Sequence, residues 1–213
     1  MADFQNTIDL YGDNAVTGEI ISRVIDKYDD DLLARVGDYA FYKCLALESV
    51  NLLAAQGIGN YAFNGCTKLA SANLPIATSI NTYAFNGCTA LTSATIPSVT
   101  SISNYAFNGC AKLEGANIPL ATSIGNSAFQ GCKALTSAVL TSATSIGSSA
   151  FNGCAKLESI RLPSAPPTLA STNAFSNVPT TCVFYIPTGS LAAYQAATNW
   201  KSLTKYTFTE EDR

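Results

Sequence analysis

Side chains that ordinarily do chemistry are few in this chain of 213 residues, and those present are oddly spaced. Histidine is absent, which removes the Ser-His-Asp and Cys-His dyads, most zinc ligand sets and the commonest general base near neutral pH. Six of the seven cysteines, Cys44, Cys66, Cys88, Cys110, Cys132 and Cys154, recur every 22 residues, and Cys182 stands apart. In-register parallel strands hold such a column about 4.8 Å apart, whereas a disulfide prefers Cβ atoms about 3.8 Å apart. The thiols are therefore expected to serve as small buried apolar groups. Glu114 and Glu158 hold the same place two periods apart, a separation of about 10 Å. Carboxylates near that distance can hydrolyse glycosides with inversion, yet both of these sit in small polar surroundings that do not favour such an activity. Asp29, Asp30 and Asp31 lack the further spaced oxygens of a calcium loop and read as a solvated turn. No catalytic, cofactor-binding or metal-binding residue is assigned, no cofactor is expected, and an enzyme is disfavoured.

The 22-residue spacing of the cysteines belongs to a wider pattern. Phe41, Phe63, Phe85, Phe107, Phe129 and Phe151 repeat at that interval, as do Leu47, Leu69, Leu91, Leu113, Leu135 and Leu157. Five residues before each Phe stands Val36, Ile58, Ile80, Ile102, Ile124 or Ile146. Four columns in phase over six turns imply a stack in which each coil buries its Phe only against its neighbours. After each cysteine come LESVNL, LASANL, LTSATI, LEGANI, LTSAVL and LESIRL, the LxxLxL spacing of a leucine-rich repeat. The last two apolar positions lie two apart and share one face of a short strand. Six such strands pairing in parallel would make a sheet roughly 24 Å from first to last. Pro75, Pro97, Pro119 and Pro163 lack the N–H needed to continue the ladder. The other half of the coil, as in SISNYAFNGCAKL, has spacings that suit a helical or 3₁₀ turn. Asn-Gly or Gln-Gly then supplies a residue able to take positive φ.

These residues resemble a known family. SIGNSAFQGCKALTSAVL, with its I-G-x-x-A-F-x-G-C-x-x-L core, looks like the BspA-type leucine-rich repeats of bacterial surface proteins, a likeness extending over about 36 to 163. The first coil departs from it, with Lys43 where later coils have Gly. FYIPTGSLAAYQAATNW is similar to the segment that often closes such arrays. The resemblance implies a right-handed leucine-rich-repeat solenoid with a parallel β-sheet, used in adhesion and host-surface binding.

An open stack needs covered ends. Residues 1–35 are expected as an N-terminal cap, either a helix started by Asp13 or Asn14 with Val16, Ile20, Ile21 and Val24 on one side, or a strand at 22–28. Residues 36–163 are the six repeats. Residues 164–213 hold an atypical last repeat, with Phe175 two residues out of phase, and a C-terminal cap. In the cap, Val183 to Ile186 is expected as the last strand, Ser190 as the N-cap of a helix carrying Leu191, Tyr194 and Ala197, and Trp200 as the cover.

Two surface ladders are candidates for partner binding. One is the outward strand column of Asn51, Asn73, Thr95, Asn117, Val139 and Arg161, which suits a glycan or polar protein face but equally an inert exterior. The other is Tyr39, Tyr61, Tyr83 and Tyr105, giving way to Ser127 and Ser149. Tyrosine is enriched at interfaces, although stacked tyrosines also shield a Phe column. Lys68, Lys112 and Lys156 skip alternate coils, which keeps like charges apart. With 47% apolar and 13% charged residues and a net charge of −3, the chain should fold and is not expected to bind nucleic acid. No run of 18 apolar residues predicts membrane insertion, and no signal peptide is visible at MADFQNTIDL. The leading expectation is a non-catalytic recognition or adhesion module that binds a protein or glycan surface, placed extracellularly, on a cell surface or on a virion. The alternative is a structural or receptor-binding component of a phage particle or tail, and association with further copies of the chain is also allowed.

Overall fold

The computed structural model describes residues 35–212, and the expectations for the N-terminal cap and for Asp29 to Asp31 lie outside them. Each 22-residue coil contributes two short strands and a run of turns, so the stack has three walls around one core.

The first wall is a seven-stranded parallel sheet of two-residue strands: β1 (Arg35–Val36), β3 (Gly57–Ile58), β5 (Ser79–Ile80), β7 (Ser101–Ile102), β9 (Ser123–Ile124), β11 (Ser145–Ile146) and β13 (Thr168–Leu169). Its pairings step one coil at a time, as in Ile80↔Ile102 and Ile102↔Ile124. The isoleucine points inward and is buried, while the preceding serine is only partly covered. The sequence pattern marked the Ile column but not this sheet, because two residues are too few to show an alternation.

The second wall carries the LxxLxL segments: β2 (Ser49–Asn51), β4 (Ser71–Asn73), β6 (Ser93–Thr95), β8 (Gly115–Asn117), β10 (Ser137–Val139), β12 (Ser159–Arg161), β14 (Val183–Pro187) and β15 (Thr207–Glu211). The expected single six-stranded sheet is here a three-stranded and a five-stranded sheet, parted between β6 and β8. At the gap Ala94 is only half-buried, whereas Ala72 and Ala138 in the same column are buried. Beyond the expected β14, β15 adds a further parallel strand that pairs Phe208 with Phe184.

The third wall corrects the expectation of a helical turn. Two residues per coil, four apart, sit in the left-handed region, as Tyr61 (φ 56°) and Gly65 (φ 76°), or Tyr105 (φ 58°) and Gly109 (φ 73°). A helix cannot pass through them. Instead the N–H groups alternate: Tyr61, Phe63 and Gly65 donate to Thr82, Ala84 and Asn86 of the next coil, while Asn64 and Cys66 close turns onto Tyr61 and Phe63. Lys43 keeps this geometry without glycine, at φ 54°. Regular 3₁₀ structure occurs at Thr172–Phe175, in the lengthened coil.

Inside the walls the phenylalanines stack face over face. Neighbouring centroids from Phe41 to Phe151 are 4.9 to 5.3 Å apart, and Phe175, though out of phase in sequence, rejoins the column 5.8 Å from Phe151. At the far end Trp200 is 2% exposed, lies 5.9 Å from Phe175 and donates Nε1–H to the Pro167 carbonyl. Tyr194 and Tyr206 are anchored likewise, each donating its hydroxyl to a carbonyl, of Pro163 and Phe175. The helix α1 (Leu191–Ala196) follows Ser190 as expected, but the Ser190 side chain does not cap it. Glu210 on β15 takes that role, its Oε1 accepting from the Leu191 N–H at 3.0 Å.

Candidate recognition surfaces

The tyrosine column begins with a backbone fact. Tyr39, Tyr61, Tyr83 and Tyr105 have φ between 56° and 60°, and Ser127 and Ser149 hold 54° and 58° at the same place. An L-residue there costs about 1–2 kcal/mol, which a crossing hydrogen bond from the N–H of each tyrosine and of Ser127 offsets. The rings then stack on one another with centroids 4.9, 4.8 and 4.6 Å apart and planes within 14° of parallel. Tyr42 packs its ring edge-on against Tyr39 at 5.7 Å. Desolvation first, then the neighbouring phenols of Tyr105 and Tyr61, raise the Tyr83 hydroxyl above its ordinary pKa.

Beside the tyrosines runs a polar column that the sequence pattern had not singled out. Asn104 Oδ1 accepts from the Asn126 N–H at 2.7 Å, and Asn126 Oδ1 from the Ser148 N–H at 2.8 Å. In the first coil Asp38 plays this part, binding both the N–H and the side-chain amide of Asn60. The signal was present as an Asn or Asp before four of the six Tyr or Ser residues, at Asp38, Asn60, Asn104 and Asn126, with Thr82 and Ser148 in the other two coils. From the second coil to the sixth this wall carries no charge: the segments 57–66, 79–88, 101–110, 123–132 and 145–154 contain no Lys, Arg, Asp or Glu.

The strand ladder is less uniform. Asn51 and Asn73 are joined, Nδ2 of Asn73 donating to Oδ1 of Asn51 at 2.7 Å. Thr95 and Asn117 face each other across the gap between the two sheets, so the column is broken between them. Arg161 is engaged by the C-terminal segment: its Nε lies 3.2 Å from Glu211 Oε1 and its guanidinium 5.0 Å from the Tyr185 ring centroid. It belongs to the closure of the stack, and the ladder open to a partner is shorter than the sequence alone implies.

Apart from Cys44, which is only half-buried in the first coil, the thiols sit deep in the core. Cys66, Cys88, Cys110, Cys132 and Cys154 are 0% exposed, and each donates its S–H to the carbonyl of the Phe one coil back at 2.9 to 3.2 Å. Burial pushes the Cys66, Cys154 and Cys182 thiols up to about 12, and those of Cys88, Cys110 and Cys132 well up too. All seven are unbridged. Among the described residues no three His, Cys, Asp or Glu side chains gather to hold a metal, and no helix is long and apolar enough to cross a membrane. Glu114 and Glu158 are both exposed.

Parallel walls, a one-dimensional core and repeat-borne surface columns define a leucine-rich-repeat solenoid. The chain belongs to the BspA-type leucine-rich repeat family, whose model matches residues 34–142 and 122–211 in six copies. Among solved structures it is similar to a leucine-rich repeat protein from Bacteroides ovatus (28% identity, TM-score 0.60, covering 71% of this chain and 42% of that one). It is also similar to a T. pallidum leucine-rich repeat protein (26% identity, TM-score 0.63, 84% and 80% covered). A leucine-rich cell surface protein from Faecalibacterium prausnitzii (24% identity, TM-score 0.51, 72% and 58% covered) shares the fold. The chain thus spans less than half of the Bacteroides ovatus protein. No match to a curated protein sequence was found.

Proposed function

We propose that this chain is a recognition module displayed at a cell surface, and that its contact face is the turn wall bearing Tyr39, Tyr61, Tyr83 and Tyr105. One observation carries the reading: the coil does not require these tyrosines. Ser127 and Ser149 hold the same left-handed backbone, and Ser127 donates its N–H to the next coil, at Ser148, as the tyrosines do. The phenylalanine column passes beneath them without interruption at 5.3 Å. Four large, half-exposed aromatic side chains that the architecture can replace with serine are best accounted for by what they touch outside the molecule. The wall's make-up of Tyr, Asn, Ser and Gly is also that of antibody contact loops, where rigid tyrosines supply area and short polar residues supply adaptable hydrogen bonds.

Membership of a repeat family found in surface proteins supports the location. The strand ladder of Asn51, Asn73, Thr95 and Asn117 is a secondary face, interrupted at its middle. The phage-particle alternative has no feature among the described residues that favours it. The test is the triple variant Tyr61→Ser, Tyr83→Ser, Tyr105→Ser, assayed for adhesion to bacterial and host-cell surfaces with circular dichroism as the check on folding. A folded variant that has lost adhesion supports the reading; a folded variant that adheres as the parent does overturns it.

A further inference from the structure

We infer that the tyrosine ladder binds an uncharged, hydroxyl-bearing polymer, a neutral polysaccharide lying along the coil axis. The inference rests on the recognition reading above and names its ligand class. Ring stacking decides the mode of contact. With planes nearly parallel and centroids under 5 Å apart, the two faces of Tyr61 and Tyr83 are covered by their neighbours. The ladder therefore offers little aromatic face on which a base or a sugar ring could lie, and what it presents is ring edges and hydroxyls. Those hydroxyls are accessible: no hydrogen bond ties the phenols of Tyr61, Tyr83 or Tyr105 to the protein, and no buried polar side-chain atom among the described residues lacks a partner.

Each phenol both donates and accepts. At the end of the column, beside Tyr105 and the following Ser127, stand exposed Asn104 and Asn126, whose oxygens are taken by the backbone of the next coil, leaving the NH₂ groups as outward donors. A row of donor–acceptor hydroxyls on rings spaced 4.6 to 4.9 Å apart, with amide donors at its end, matches a ligand that itself carries hydroxyls at intervals along a chain. The missing charge sets the sign. The second to sixth coils of this wall hold no ionic group to pair with sulfate, carboxylate or ammonium, so binding to an anionic glycan or a charged peptide would leave the ligand's charge unmatched. Shape points the same way. The row is one side chain wide, whereas a stable protein interface covers about 800 Å² on each partner.

The experiment uses the whole chain and two triple variants. Tyr61→Phe, Tyr83→Phe, Tyr105→Phe keeps the stack and removes the hydroxyls, and Tyr61→Ser, Tyr83→Ser, Tyr105→Ser removes the ladder. Probes are immobilised dextran, laminarin and mannan as neutral polymers, heparin as an anionic one, and gelatin as a protein, each read by surface plasmon resonance at low and high salt. The expected result is salt-insensitive binding to at least one neutral polymer, none to heparin, and a loss of roughly tenfold or more in both variants. Binding to no neutral polymer, or binding unchanged by the Phe substitutions, overturns the inference. If the parent binds gelatin or heparin and only the Ser variant loses it, the polysaccharide is wrong while the recognition reading stands. If neither variant loses binding to any probe that the parent binds, both are wrong.

Discussion

The first four coils and the two that follow are built on one backbone and differ in a single outward column. In coils one to four that column is tyrosine and the rings stack; in coils five and six it is Ser127 and Ser149, and nothing stacks. The left-handed turn and the buried phenylalanines are the same in both, and Ser127 keeps the crossing hydrogen bond that the tyrosines make. Stability along the array therefore comes from the inner column, and the outer one is free to vary. Repeat proteins divide their labour in this way because each coil contacts only its neighbours, so a surface column varies without disturbing the stack.

The sharpest test of that division is Phe107→Ala. Phe107 is 0% exposed between Phe85 and Phe129, and its truncation should lower stability by about 3–5 kcal/mol. A thermal melt that is unmoved would show that the inner column does not hold the stack. Tyr83→Ser removes one half-exposed ring and its two stacking partners, and should cost on the order of 1 kcal/mol in the same melt. A loss equal to that of Phe107→Ala would erase the distinction between the columns. Ser127→Tyr extends the outer stack by one ring and should raise stability by at most about 1 kcal/mol. A large destabilisation there would show that the fifth coil, unlike the fourth, cannot accept tyrosine.

The thiol column adds a pH test of the inner core, read as the difference between the parent and a Cys→Ala variant because the raised Tyr83 and Tyr206 phenols titrate in the same window. The folded-state pKa of Cys66 and Cys154 lies near 12, above the ordinary value of 9.0, because burial disfavours the thiolate. The folded state therefore holds protons that the unfolded state releases. Their contribution is fully present below pH 9.0 and declines as pH rises from there toward about 12. Denaturant midpoints measured across that window should fall, and Cys132→Ala should fall less steeply. At pH 8 the buried thiols should resist a thiol reagent until denaturant is added. Rapid labelling of cysteines other than the half-buried Cys44 in the native chain would place them outside the core.

Much of this molecule is legible from residue types and their period. The 22-residue interval, the buried Phe, Leu, Ile and Cys columns, the proline ends of the strands and the positive φ at Gly65, Gly87, Gly109, Gly131 and Gly153 all follow from burial and from backbone sterics. The tyrosine row was visible too, as a column confined to four coils. Its left-handed backbone was not, since that depends on hydrogen bonds with the coil above and the coil below. Nor was the seven-stranded sheet, whose two-residue strands carry no alternation to read.

Tertiary contacts also decided which polar side chains remain available. Arg161 had the look of a ladder member, and it is held by Tyr185 and Glu211, 24 and 50 residues further along the chain. Ser190 had the look of a helix cap, and Glu210 supplies that carboxylate from a strand the pattern did not announce. Local sequence reports what a position buries and how often it recurs, because those properties act over a few residues. Which partner a polar group meets is settled by chain segments brought alongside it only when the coils stack.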